Sequence, residues 1–188
     1  ISGKAYVVGY DQDEDDATAD LGSWTVGGGD LEDLTIADLS SSRPQSLVIG
    51  LGPNAPGLVT ITDMGTTLRM TNDGKDDTAS GLVIGRDGGE GRLELSTGTL
   101  FEIIDSSTTG QASNDQEFLT VGSGAGSNGA LWAQSSIFDI EGNSVAVAVG
   151  VDGGTAAADF LGNAQFKAVS HGTASTDELR VVIGADAG

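Results

Sequence analysis

The chain has 188 residues, 30 of them Gly and none Cys, with 28 acidic side chains against 8 basic ones and a formal charge of −20. That field repels phosphate backbones and anionic lipid, so nucleic-acid and membrane-surface binding are excluded as its main work; the missing thiols exclude disulfides, thiol catalysis and cysteine-ligated metals. No apolar run approaches the roughly 20 residues of a membrane-spanning helix, so no membrane insertion is expected.

The chain starts at Ile1 with neither an initiator Met nor a cationic-then-apolar leader, as a processed mature protein or an excised fragment would. In chain order, one phrase then returns six times: two apolar residues flanking any residue, followed by Gly. It reads Tyr6-Val7-Val8-Gly9, Leu47-Val48-Ile49-Gly50, Leu82-Val83-Ile84-Gly85, Leu119-Thr120-Val121-Gly122, Val147-Ala148-Val149-Gly150 and Val181-Val182-Ile183-Gly184. Behind the first five stands a second phrase, Gly-x-apolar-x-apolar: Gly22 with Trp24 and Val26, Gly57 with Val59 and Ile61, Gly91 with Leu93 and Leu95, Gly129 with Leu131 and Ala133. In the fifth copy Ala156 takes the glycine's place, ahead of Ala158 and Phe160. A third alternating pair closes each unit: Leu34/Ile36, Leu68/Met70, Phe101/Ile103, Phe138/Ile140 and Phe166/Ala168.

Period 2 is the mark of a strand with one buried face, and the intervening residues, such as Thr60, Arg69, Arg92, Glu94, Glu102, Thr120, Asp139 and Lys167, are polar. Nothing has helical periodicity. Three short strands in a unit of about 35 residues, repeated in kind, suit a solenoid in which like strands stack on like. The expected fold is all-β: one domain over 1–188, a right-handed parallel β-helix of about five three-stranded coils, with a β-sandwich as the alternative. The anchor glycines are expected at corners, where a positive φ is cheap only for Gly.

Between first and second strands, the first unit carries an excess loop over 10–20 that must leave the coil laterally. Its Asp11, Asp13 and Asp15 have the 1, 3, 5 spacing of a calcium loop, with Asp16 beside them, although the Gly and the Glu that complete such a loop are missing. Asp73, Asp76 and Asp77 form a second, weaker cluster beside an Asn-Asp-Gly turn signal. The leading reading is a solvated acidic loop, with Ca²⁺, the one cofactor the pattern admits, as the alternative. The loops 37–46, 71–81, 104–118 and 169–180 all follow third strands and would gather on one side of the rod, where variable loops make a natural binding surface, cell-surface glycans included.

Catalytic signals are sparse. His171, the single histidine, lies in a polar Ser-His-Gly-Thr loop and reads as a surface residue, and no nucleophile elbow or phosphate loop occurs. Glu94 and Glu102 are the outward acids best placed for glycoside hydrolysis, but the aromatic platforms available to them are only Trp132 and Tyr10.

The stretch from Leu82-Val83-Ile84-Gly85 through Gly91-Arg92-Leu93-Glu94-Leu95 to Gly98-Thr99-Leu100-Phe101-Glu102-Ile103 resembles the repeats of secreted bacterial surface proteins, the autotransporter passenger repeats and those accompanying PEP-CTERM sorting tails. Leu47 to Met70 and Leu119 to Ile140 carry the pattern more loosely. The resemblance implies a right-handed β-helix, export, and an adhesive or structural role, and it supplies no catalytic residues. Calcium-binding RTX nonapeptides look similar around Gly88-Gly89-Glu90-Gly91, but Leu93 stands where they carry an Asp.

The expected function is that of a non-enzymatic extracellular structural protein, a surface-adhesin segment or the subunit of a filament joined through its solenoid ends. Neither end has the polar cap of a closed solenoid, and the sixth anchor opens a coil that is not completed. A carbohydrate-active β-helix enzyme and a calcium-dependent binding module are the alternatives.

Overall fold

The computed structural model describes residues 2–3, 5–10, 22–29, 31–36, 45–53, 56–72, 80–105, 116–171 and 178–184. A short β1 (Ser2–Gly3) precedes five sets of three strands. These are β2 (Ala5–Tyr10), β3 (Gly22–Val26) and β4 (Leu31–Ile36); β5 (Gln45–Leu51), β6 (Gly57–Ile61) and β7 (Thr67–Asn72); and β8 (Ser80–Arg86), β9 (Glu90–Leu95) and β10 (Leu100–Asp105). The fourth and fifth sets are β11 (Gln116–Ser123), β12 (Asn128–Gln134) and β13 (Ile137–Gly142), then β14 (Ser144–Val151), β15 (Thr155–Leu161) and β16 (Gln165–Ser170), followed by β17 (Leu179–Ile183).

Each strand pairs in parallel with the strand three places further on, which gives three sheets. Sheet 1 holds the first strands in the order β2-β5-β8-β11-β14-β17, sheet 2 the second strands β3-β6-β9-β12-β15, and sheet 3 the third strands β1-β4-β7-β10-β13-β16. The fold is a parallel β-helix. A sandwich would need antiparallel neighbours, and there are none among the described strands.

The register follows the repeat. Leu47, Leu82, Leu119, Val147 and Val181 share one row of sheet 1, and Ile49, Ile84, Val121, Val149 and Ile183 the next inward row. Sheet 2 aligns Trp24, Val59, Leu93, Leu131 and Ala158. Sheet 3 aligns Leu68, Phe101, Phe138 and Phe166. One expected alignment is corrected in the first coil: Leu34 lies opposite Met70 and Ile36 opposite Asn72, with Glu32 opposite Leu68. The first coil reaches the Leu68 row at Glu32, six residues after Val26, much as the third coil reaches it at Phe101 six residues after Leu95, so its apolar pair stands two residues further along the strand than expected. A slip of two preserves the alternation of faces, whereas a slip of one would reverse it.

Corners explain the glycines. Gly50, Gly85, Gly122, Gly150 and Gly184 all have φ between +63° and +75°, as expected of the anchors. The second-phrase glycine has a different reason: a Cβ on Gly91 would run into the Ile49 carbonyl of the coil below and the Gly85 amide of its own corner, both backbone atoms. The anchors are pressed from the coil above: a Cβ on Gly50, Gly85 or Gly122 would meet the backbone of Glu90, Asn128 or Thr155, whereas on Gly150, in the last coil with a described second strand, it would meet nothing nearer than 3.5 Å.

Inside, these rows form one continuous core. The Phe101 and Phe138 rings stack with centroids 4.9 Å apart and planes 13° from parallel, and Phe138 and Phe166 follow at 5.6 Å. The column stops at Phe166, which is 37% exposed; Val181 and Ile183, at inward positions of β17, are 55% and 75% exposed. Sheet 1 departs from the expected dry-inside, wet-outside alternation. Val48 and Val83 sit on its outer face yet are 4% and 6% exposed, so the sheet is buried on both sides there, in keeping with its unbroken apolar runs.

Candidate functional site

Of the expected metal ligands, Asp11, Asp13, Asp15, Asp16, Asp73, Asp76 and Asp77 all lie outside the described residues. Among the described residues no group of three or more His, Asp or Glu side chains converges to hold a metal ion.

The two candidate catalytic acids are not brought together. Glu94 is on β9 in sheet 2 and Glu102 on β10 in sheet 3, so they project from different faces of the rod, whereas glycoside hydrolysis needs carboxylates about 5–9.5 Å apart across one bond. Each has a basic partner instead: Arg92 Nε lies 2.6 Å from Glu94 Oε1, and Arg69 Nε donates to Glu102 Oε2 at 2.7 Å. His171 is exposed, with Nε2 3.2 Å from Glu141 Oε2, and the neighbouring Ser170 Oγ donates to the Asn143 carbonyl at 2.6 Å rather than facing the imidazole.

The outer face of sheet 3 carries a row of charge in register, Arg69, Glu102, Asp139 and Lys167. Lys167 Nζ donates to Asp139 Oδ2 at 2.5 Å. That hydrogen bond, reinforced by the charge of the same carboxylate, raises the Lys167 ammonium above its ordinary 10.5. Asp139 is only 7% exposed, and its Oδ1 is buried without a hydrogen-bond partner. The row is a set of cross-strand ion pairs, Arg69 with Glu102 and Lys167 with Asp139.

Sheet 2 presents a different outer face. Its outward rows run Glu90, Asn128, Thr155; then Leu58, Arg92, Ala130, Ala157; then Thr60, Glu94, Trp132, Asp159. Because Ala130 is small beside Arg92, a hollow of about 330 Å³ opens there, walled by Leu58, Glu90, Arg92 and Asn128. Trp132 follows Ala130 two residues along the same face of β12, roughly 7 Å away, with Glu94 and Asp159 as its neighbours in the row. The ion pair with Glu94 fixes Arg92 at the edge of the hollow. Sequence reasoning placed Trp132 outward but missed this hollow, whose signal was the Gly-x-apolar alignment itself: it puts residues 92, 130 and 157 in one row and exposes the step from Arg to Ala.

A second hollow, of about 270 Å³, lies on the outer face of sheet 1 between Ala148, Asp152, Arg180 and Val182. Sequence reasoning also missed Glu117. It occupies an inward position of β11, is fully buried, and its carboxylate fills the place a Cβ on Gly142 would need.

No protein-family model, curated protein or solved structure matches the chain.

Proposed function

We propose that this is a non-enzymatic extracellular structural protein, a β-solenoid segment of a surface adhesin or the subunit of a filament joined head to tail through its solenoid ends. The observation that carries the reading is the open coil at β15–β17, where Phe166, Val181 and Ile183, residues of inward rows, are exposed. Apolar rows cut across in this way seek another coil. A further parallel coil, of a second copy or of a continuing chain, fits there, because each described sheet ends in an edge strand that runs parallel to the edge at its opposite end: β17 to β2, β16 to β1, β15 to β3. Translation along the axis joins like sheets, a heterologous contact that propagates rather than closes.

Export is supported by the excess of acidic residues and by the likeness of the repeats to those of secreted bacterial surface proteins. The arginine-bound states of Glu94 and Glu102 on separate sheets support the non-enzymatic part.

Sedimentation and negative-stain microscopy of the purified chain test the reading. Rods several times longer than one body of roughly 24 Å are expected at high concentration, and Ile183→Lys, an exposed substitution that spares the core, is expected to leave single bodies. Wild-type chain that stays monomeric at every concentration, in high salt as in low, would overturn it.

A further inference from the structure

We infer that the outer face of sheet 2 is a binding site for a neutral oligosaccharide, with one pyranose ring lying against Trp132 and its neighbour seated in the hollow beside Arg92. The inference names a partner for the surface-protein reading above and rests on it. Trp132 lies on the outward face of β12 and is half-buried, so part of its indole faces solvent. Its large apolar surface suits the C–H face of a sugar ring. Around it stand the planar polar groups that sugar hydroxyls need, since each hydroxyl donates and accepts together: the carboxylates of Glu94 and Asp159 on either side in the row, then Arg92 and Asn128 at the hollow.

The hollow's volume of about 330 Å³ lies at the small end of the roughly 300–1,000 Å³ usual for small-ligand sites, which suits one or two sugar units rather than a long buried chain. The site sits on strands, so its spacing is fixed by the parallel ladder. The Arg92–Glu94 contact at 2.6 Å holds two of the polar groups in place before a ligand arrives. Charge selects against acidic glycans: Glu90, Glu94 and Asp159 outnumber Arg92, which is already paired, and the whole chain adds −20. Sulfated, sialylated and uronic oligosaccharides are therefore disfavoured. The remaining rival occupant is an organic cation, which would use Trp132 and its flanking carboxylates through cation–π attraction and leave the hollow empty.

The test is calorimetric titration of the intact chain with neutral oligosaccharides, their sulfated counterparts and tetramethylammonium. Saturable binding of a neutral oligosaccharide is expected, weakened by about tenfold or more in Trp132→Ala and in Asn128→Ala. Trp132→Ala should remain folded by circular dichroism, because the side chain lies outside the core cluster, and Trp132→Tyr should restore part of the affinity. Binding of tetramethylammonium or of sulfated glycans in preference, equal affinity in Trp132→Ala, or no binding of any neutral oligosaccharide would overturn the inference. A chain that forms rods but binds no sugar sinks only this site. Release of new reducing ends from a bound oligosaccharide would instead sink the non-enzymatic reading.

Discussion

A single methyl group separates two kinds of corner in this molecule. At Gly91 an added Cβ would press on the carbonyl of Ile49 and the amide of Gly85, and neither backbone atom can move without disturbing a parallel ladder. Gly91→Ala should therefore cost about 1–3 kcal/mol, the usual penalty of overpacking a dense site. Ala156→Gly, at the same row of the fifth coil, where a Cβ is already accommodated, should cost under about 1 kcal/mol, chiefly from the freer unfolded chain. Denaturant titration of the two variants checks the difference, and equal losses would show that the corner is not the constraint. Lys167 gives a second residue-scale expectation. Its ammonium is raised above 10.5 by Asp139, so the pair's contribution is complete below that value and fades as pH rises through the higher folded-state pKa. Melting curves from about pH 9 to about pH 12 should show a steeper alkaline loss for wild type than for Lys167→Met. Parallel curves would remove Lys167 from the alkaline response.

At the scale of the strand, the two faces of sheet 1 do not obey one rule. Val83 and Thr120 are neighbours in the same outward row, yet Val83 is 6% exposed while Thr120 keeps contact with solvent. Val83→Thr is nearly isosteric and places a hydroxyl in a covered position, a change expected to cost about 1–3 kcal/mol if no partner is found. The reverse change, Thr120→Val, should fall within about 0.5 kcal/mol of wild type. If Val83→Thr proves as harmless, that side of the sheet is open in solution. This contrast also marks what a sequence can reveal. The inward rows were legible because each is tied to a glycine at a fixed distance, so Leu47, Leu82 and Leu119 align without any structure. In the third strand of the first coil the tied place, three residues after Gly29 as Leu68 is after Gly65 and Phe101 after Gly98, holds the polar Glu32, and the apolar pair Leu34/Ile36 reads two residues away from its true partners Met70 and Asn72. The covering of Val48 and Val83 was written only as an unbroken apolar triplet, which alternation alone reads as one buried face. For the sugar-binding face, Trp132 was legible as outward. Its neighbours Glu94 and Asp159 follow from the same alignment, but the hollow depends on how the side chains of Leu58, Glu90, Arg92 and Asn128 stand around the small Ala130.

For the molecule as a whole, two forces of different range act on any joining of ends. The exposed side chains of Phe166, Val181 and Ile183 favour contact through burial of apolar surface, which acts only at touching distance. Against this, each chain brings a charge of −20, and repulsion between two such bodies reaches about 30 Å at 0.01 M salt but only about 10 Å at 0.1 M. A body roughly 24 Å long lies wholly within the field of its neighbour at the lower salt and largely outside it at the higher. Association should therefore strengthen as salt is raised, and neutral osmolytes at matched osmolality should not reproduce the effect of NaCl. Sedimentation velocity across about 0.01–0.5 M NaCl measures it, with Ile183→Lys remaining monomeric throughout because it removes the apolar contact rather than the repulsion. If association weakened with salt, the contact would be made by opposed charges, and the apolar rows at β15–β17 would not be its cause.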